Sequence, residues 1–114
     1  MKESTAYSIN ELLKGVVRSG TGTEAAFSGM TIAGKTGTAQ NPRGKDHSTF
    51  LSFAPKDNPR IAISVYVENG GFGASAALPI ASLLEEYYLT DTIRRPALLD
   101  YVRNMTINYP AYDR

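Results

Sequence analysis

One lysine of this chain lies in a setting that could support chemistry. It opens the segment Lys-Thr-Gly-Thr at residues 35–38. Read with the residues before it, the segment 29–36 fits G-x-x-x-x-G-K-[ST], the loop that cradles nucleotide phosphates. Read with the residues after it, Lys-Thr-Gly fits the K-T-G element that accompanies S-x-x-K and S-x-N in one class of serine-nucleophile enzymes. The two interpretations require different local structure.

The surroundings do not favour the phosphate loop. Such a loop needs a buried strand before its first glycine and a helix that begins at the Lys-Thr pair. Residues 23–28 hold few large apolar side chains, and Gly37, Pro42 and Gly44 follow too closely for a helix to start. Residues 30–38 are instead predicted to form a strand that carries the lysine. A nucleotide-binding loop is kept as the third alternative.

Two further strands are predicted after a turn. They cover residues 47–55 and 60–68, and the sequence Lys-Asp-Asn-Pro at 56–59 is typical of the turn between paired strands. The second strand alternates, and its apolar face, which we expect to pack on helices, consists of Ile61, Ile63, Val65 and Val67.

Helices are predicted on both sides of these strands. A capping box at Ser8 and Glu11 predicts a helix from residue 8 to residue 18. Its apolar stripe consists of Ile9, Leu12, Leu13, Val16 and Val17. A second helix is predicted over residues 75–89, with Pro79 either in its first turn or as a kink. Its core-facing stripe consists of Ile80, Leu83, Leu84 and Tyr87, and its solvated face of Glu85 and Glu86.

These elements predict an α+β fold, a three-stranded antiparallel sheet with N- and C-terminal helices packed on it. Residues 1–7 are interpreted as a leader, residues 8–90 as the body of the domain and residues 91–114 as a partly ordered extension. A loop is expected at 19–28 and a short helix at 97–104.

Composition excludes several function classes. Twelve basic and eleven acidic residues in 114 give a net charge of +1, which offers no argument for nucleic acid as a partner. No segment approaches the roughly 20 apolar residues of a membrane span, so no membrane contact is expected from this segment. His47 is the lone histidine and there is no cysteine, so we expect no metal site and no cofactor.

A set of motifs in a fixed order carries a family resemblance. It comprises Gly-Lys-Thr-Gly-Thr-Ala-Gln at 34–40, Asp-His at 46–47, Phe-Leu-Ser-Phe-Ala-Pro at 50–55 and Glu-Asn-Gly-Gly-Phe-Gly at 68–73. In that order they resemble the end of the transpeptidase domain of class B penicillin-binding proteins, above all the elongation-specific branch, penicillin-binding protein 2. The resemblance covers residues 8–89 and implies a fragment of the penicillin-binding/β-lactamase-like fold.

The resemblance also shows what this chain lacks. The family carries its nucleophile in S-x-x-K, but no serine here is followed three positions later by lysine. S-x-N occurs at residues 8–10, inside a predicted helix. We therefore interpret the chain as the C-terminal part of a larger enzyme, inactive without its serine. A non-catalytic structural or interaction domain of the same fold is the alternative.

The resemblance implies a role for each residue of the K-T-G segment. Lys35 would be a cation that eases proton transfers of the serine and attracts a substrate carboxylate. The Thr36 and Thr38 hydroxyls would hold that carboxylate, and the Thr38 N–H would complete the oxyanion hole. Gly37 would leave room for the substrate backbone. Strict alternation places Lys35 and Thr36 on opposite faces of the strand, and His47 would lie near the rim of the cleft.

The resemblance further implies the partners and location of the parent enzyme. Its partners would be the peptidoglycan stem peptide and β-lactams, met in the periplasm by a protein anchored in the inner membrane. In the family, further strands from the N-terminal side pair beside the strand that corresponds to residues 61–67. Without them, we expect this strand either to self-associate or to be covered by the tail, residues 91–114.

Overall fold

The computed structural model describes residues 1–19 and 32–107. In chain order, the described elements are α1 (Glu3–Ser19), β1 (Ala33–Ala39), β2 (His47–Ala54), β3 (Ile61–Val67), α2 (Ala77–Thr90) and α3 (Pro96–Asn104). The strands form one antiparallel sheet in the order β1-β2-β3. The predicted α+β fold is confirmed, with β1 and β3 at the two edges of the described sheet.

One face of the sheet carries the core. Alternation places Phe50 and Ala54 of β2 on this face, where both are buried, while Leu51 on the opposite face is half exposed. The core cluster comprises Val17, Ile32, Phe50, Ala54, Ala77, Leu78 and Ala81. The predicted apolar face of β3 packs against this cluster, as expected. The K-T-G strand thus forms one edge of a sheet supported by helices from behind.

The start of α1 differs from the sequence prediction. The helix begins at Glu3, so residues 3–7 are helical and Ser8 lies inside it, where its hydroxyl donates to the Ser4 carbonyl oxygen at 3.0 Å. The capping box is therefore wrong, and Glu11 instead forms an ion pair with Lys56 in the turn after β2. The predicted stripe is partly wrong as well, because Leu12 is 71% exposed. Ile9, which belongs to the same predicted stripe, is 39% exposed.

Other boundaries agree more closely with prediction. Pro79 lies in the first turn of α2, and α3 confirms the short helix expected near the C-terminus. β1 begins at Ala33, three residues later than predicted, and residues 30–31 lie outside the described part. The loop predicted at 19–28 lies outside the described part except for Ser19, which ends α1. The end of the tail, from residue 108, also lies outside it.

The predicted faces of α2 are partly wrong: Leu83 is buried as expected, but the two glutamates assigned to solvent are buried. Glu85 is fully buried and Glu86 is 3% exposed, whereas Leu84 and Tyr87 are more than half exposed. The Ser52 hydroxyl on β2 donates to Glu85 Oε1. A hydrogen-bond partner on another element thus lowers the cost of burying a carboxyl group, and the periodicity of a single helix cannot reveal such a partner.

Glu86 has its own partner. Its Oε1 accepts a hydrogen bond from Arg95 Nε at 3.2 Å, and Arg95 also donates to the Ser82 carbonyl oxygen at 3.2 Å. The segment before α3 is therefore fastened to α2 by one arginine, which makes Glu86 a structural carboxylate rather than a solvated one.

Burial gives Glu85 an unusual titration. Desolvation raises the pKa of its carboxyl from 4.5 to about 7, although the Ser52 hydrogen bond and the Arg95 charge both oppose the shift. Its second oxygen, Oε2, is buried and has no hydrogen-bond partner among the described residues. The folded state therefore holds this proton more tightly than the unfolded state does.

We expect Glu85→Gln to change how stability depends on pH. Because the pKa is higher in the folded state, the wild-type carboxyl contributes stability below about pH 4.5 that is lost as pH rises through about 7. The free energy of unfolding of the variant relative to wild type should rise by on the order of 3 kcal/mol across that interval. Urea unfolding between pH 4 and pH 8 measures this difference.

Glu86→Gln is the matched control. It removes the ion pair with Arg95 and should lower stability while leaving the pH dependence due to Glu85 in place. Parallel pH profiles for wild type and Glu85→Gln would contradict the assignment.

Candidate functional site

The K-T-G segment lies wholly within strand β1. Lys35, Thr36, Gly37 and Thr38 are consecutive residues of Ala33–Ala39, and the strand continues past them to the turn that leads into β2. A phosphate loop would require a helix to begin at the Lys-Thr pair, and the structure has a strand there. The local requirement of the nucleotide-binding interpretation is not met.

The two faces of β1 divide the four residues. Lys35 and Gly37 share a face and lie opposite Leu51 and Thr49 of β2. Thr36 and Thr38 lie on the other face, as the alternation predicted. Lys35 is exposed, and its Nζ donates to the Thr36 carbonyl oxygen at 2.7 Å. The Lys35 side chain therefore bends back so that its charge lies beside the backbone of Thr36.

Two glycines set how closely the backbone packs around this strand. A Cβ atom on Gly37 would collide with the Thr49 hydroxyl. A Cβ atom on Gly73 would lie 2.6 Å from the carbonyl oxygens of both Gly37 and Thr49, and 2.8 Å from the Gly37 nitrogen. The loop that contains Gly73 therefore rests directly on the backbone of the K-T-G strand, a contact that allows only a hydrogen atom.

Thr38 is connected to the same loop. The backbone N–H of Gly73 donates to Thr38 Oγ1 at 3.4 Å. The oxygen is an acceptor in this contact, so the hydroxyl proton remains available to donate to another group. Thr38 can thus be held from behind and still offer a hydrogen bond to a ligand.

Ser48 joins this region to helix α2. Its fully buried hydroxyl contacts the Phe72 carbonyl oxygen at 2.8 Å and accepts from the Ala77 N–H at 2.9 Å. The serine therefore satisfies a free N–H at the start of α2. Sequence reasoning missed this residue; the available signal was a small hydroxyl residue at an inward-facing position, in register with Phe50 and Ala54.

The turn after β1 is tied to the loop after β3. The Asn41 N–H donates to Asp46 Oδ1 at 3.0 Å, and Asn41 Nδ2 donates to Asn69 Oδ1 at 2.7 Å. The Gly71 N–H donates to the Asp46 carbonyl oxygen at 2.8 Å. These bonds hold the two loops at the same end of the sheet, next to Thr38.

His47 belongs to this pair of loops rather than to the lysine. Its Nδ1 accepts the Asn69 N–H at 3.1 Å, and its ring lies 5.4 Å from that of Tyr66. It lies opposite Ala39, four residues from Lys35, which is roughly 13 Å along the strand.

The described residues hold no cluster of three or more acidic, histidine or cysteine side chains that could bind a metal ion. None of the described helices is both long and apolar enough to cross a membrane.

Comparison with known proteins identifies relatives. Residues 1–84 match the family described as the penicillin binding protein transpeptidase domain. The chain is 38% identical over 90 residues to peptidoglycan D,D-transpeptidase MrdA of Haemophilus influenzae, which covers 65% of the chain and 14% of that protein. It is 38% identical over 103 residues to MrdA of Acinetobacter baumannii, covering 77% of the chain and 15% of that protein.

Solved structures agree with the sequence matches. The structure of penicillin-binding protein A from M. tuberculosis, an imipenem acyl-enzyme complex, has a TM-score of 0.70 at 33% identity, over 79% of this chain and 20% of that one. Pseudomonas aeruginosa PBP2, in complex with WCK 5153, has a TM-score of 0.60 at 37% identity, over 72% and 18%. The chain thus spans about a fifth or less of each of these proteins.

We expect Gly73→Ala to destabilise the domain. The added methyl group would meet backbone atoms of Gly37 and Thr49, which cannot rotate away, so the loop or the strand must shift. The cost should be about 2 kcal/mol or more. Urea unfolding of the variant measures it.

Gly15→Ala is the matched control for this substitution. Gly15 lies inside α1, and an added Cβ would meet no described atom within 4 Å. Because alanine favours the helix, stability should rise by about 0.5–1 kcal/mol. Equal effects of the two substitutions would contradict the packing argument.

Proposed function

The chain belongs to the penicillin-binding protein transpeptidase family, and we propose that it forms the K-T-G side of the active site of a class B, PBP2-like peptidoglycan D,D-transpeptidase. The observation that carries the proposal is the placement of residues 35–38 on an edge strand whose back is braced by the Gly73 loop, within a chain that matches this family.

The reaction would be acyl transfer through a serine that lies outside this chain. That serine would attack the carbonyl carbon of the penultimate D-alanine of a stem peptide, form an ester and release the terminal D-alanine. An amine of a neighbouring stem peptide would then attack the ester, form the cross-link and return the serine. β-Lactams would acylate the same serine. The structure of the M. tuberculosis relative is that of an imipenem acyl-enzyme complex.

The residues of β1 would supply electrostatic and hydrogen-bonding support. Because Lys35 lies on the face of β1 opposite the two threonines, its ammonium group would leave the Thr36 carbonyl and reach over the edge of the strand toward the serine and the substrate carboxylate. The Thr36 and Thr38 hydroxyls would donate to that carboxylate, and the free proton of the Thr38 hydroxyl supports this role. The Thr38 N–H would complete the oxyanion hole.

The edge position of β1 supports binding of an extended peptide. An edge strand offers N–H and C=O groups to an added strand, and a glycine at position 37 adds no side chain of its own to that surface. The collision of a Cβ at Gly37 with the Thr49 hydroxyl is a second reason for this glycine, internal to the sheet.

Location and self-association follow from the same proposal. The parent would act in the periplasm, anchored in the inner membrane by a segment outside this chain. In the isolated chain, the exposed edge of β3 would be open to pairing with a second copy.

The isolated chain should not react with penicillin. Because it lacks S-x-x-K, incubation with a labelled penicillin should leave the intact mass of the 114-residue chain unchanged. A stoichiometric acyl adduct would show that the nucleophile lies within this chain.

Lys35→Ala in the full-length parent should slow acylation by about 100-fold or more, the scale of one well-placed electrostatic group. The melting temperature should change little, because Lys35 is exposed. Stopped-flow acylation by a fluorescent penicillin measures the rate. Lys45→Ala, which removes an exposed lysine of the neighbouring turn, is the control and should react at the wild-type rate. A Lys35→Ala rate within about twofold of wild type would remove Lys35 from the site.

A further inference from the structure

The lone histidine uses one ring nitrogen to hold a backbone N–H. His47 begins β2, and its half-buried ring packs on Tyr66 with the ring centroids 5.4 Å apart. Its Nδ1 accepts the N–H of Asn69 at 3.1 Å. Since a neutral imidazole carries one proton, the proton lies on Nε2 and the Nδ1 lone pair is committed to Asn69.

Asn69 is the second residue of the loop that follows β3. It is 1% exposed, and its φ of 58° places it in the left-handed region, which asparagine tolerates better than most residues. Its Oδ1 accepts from Asn41 Nδ2 at 2.7 Å. The residue is therefore held by two bonds, one to its backbone from β2 and one to its side chain from the turn after β1.

The loop that contains Asn69 packs against the K-T-G strand at Gly73. The Gly71 N–H bonds to the Asp46 carbonyl oxygen, and Gly73 reaches the backbone of Gly37 and the hydroxyl of Thr38. Gly73 follows Asn69 by four residues, so a displacement of the backbone at Asn69 is passed on to Gly73. The backbone around Gly73 is packed too closely to accommodate such a displacement.

We propose that His47 is a positioning residue of the site: by accepting the Asn69 N–H, it sets the course of residues 69–73 and so fixes Gly73 and Thr38. A direct part in proton transfer does not fit its place, roughly 13 Å from Lys35 along the strand. The geometric part stands on the described contacts alone; its effect on catalysis rests on the function proposed above.

Substitution of His47 by asparagine or glutamine can distinguish the roles of its two ring nitrogens. Asparagine at position 47 places an acceptor oxygen near the position of Nδ1, whereas glutamine places its amide near that of Nε2. His47→Asn, His47→Gln and His47→Ala would be compared with wild type in the full-length parent protein. Two measurements are made on each: the acylation rate with a fluorescent penicillin, separated from initial binding, and hydrogen–deuterium exchange of the peptide spanning residues 68–76.

We expect asparagine to rescue both measurements. His47→Asn should acylate within about threefold of wild type, while His47→Gln and His47→Ala should fall by about tenfold in the acylation step, the scale of one lost hydrogen bond to a constrained loop. Exchange across residues 69–73 should quicken in the Gln and Ala variants and stay at the wild-type level in the Asn variant.

Several outcomes would overturn the proposal. Retained acylation in His47→Gln with loss in His47→Asn would assign the role to Nε2 and to chemistry. Wild-type exchange in both His47→Gln and His47→Ala would remove the link from the ring to the loop. Should His47→Ala fail to fold, the Asn–Gln pair still decides. Absence of acylation in the wild-type protein would sink the proposed function, whereas the exchange comparison would still test the positioning role.

Discussion

The structure around the K-T-G strand depends on one close contact between backbones. Gly73 lies so near the main chains of Gly37 and Thr49 that even a methyl group would overlap with them. This contact joins the loop after β3 to β1 and β2, and it places the Gly73 N–H on the Thr38 hydroxyl. Backbone atoms cannot rotate away as side chains can, so the contact admits one arrangement. Ser48, Asn69 and the start of α2 are arranged to hold the loop in it.

Sequence patterns predicted the sheet well because its strands are local and regular. The alternation of Ile61, Ile63 and Val65 identified both the strand and the face that packs against the core. The same approach failed for α2, where Glu85 and Glu86 are buried beside Ser52 and Arg95. A buried carboxylate is stable only where a partner from another element meets it. Periodicity along one helix cannot contain that information, and it therefore assigned both residues to solvent.

The candidate site likewise has a part that the sequence predicted and a part that it did not. The four residues of the K-T-G segment and their alternation could be identified from the sequence, since they are contiguous in one strand. Their support could not, because Thr38 meets Gly73, and His47 meets Asn69, across long stretches of chain. The capping box at Ser8 failed for a related reason: Glu11 is engaged by Lys56, a residue of the turn after β2. Sequence reasoning thus found the strand that would face a substrate and missed what holds it in place.

The back of the K-T-G strand combines the buried ring of Phe50 with small and polar residues. Gly34 leaves no room for a Cβ above Ser52 and Phe50, and Ser52 in turn bonds to the buried Glu85. Ser48 repeats the arrangement at the other end of β2, where it bonds to the start of α2. Large apolar side chains repack when a neighbour shifts, whereas a hydrogen bond loses strength quickly as its angle opens. The directional bonds and glycine contacts therefore fix the position of β1 more firmly than its apolar contacts would alone, which would suit the proposed role of Lys35 and Thr38.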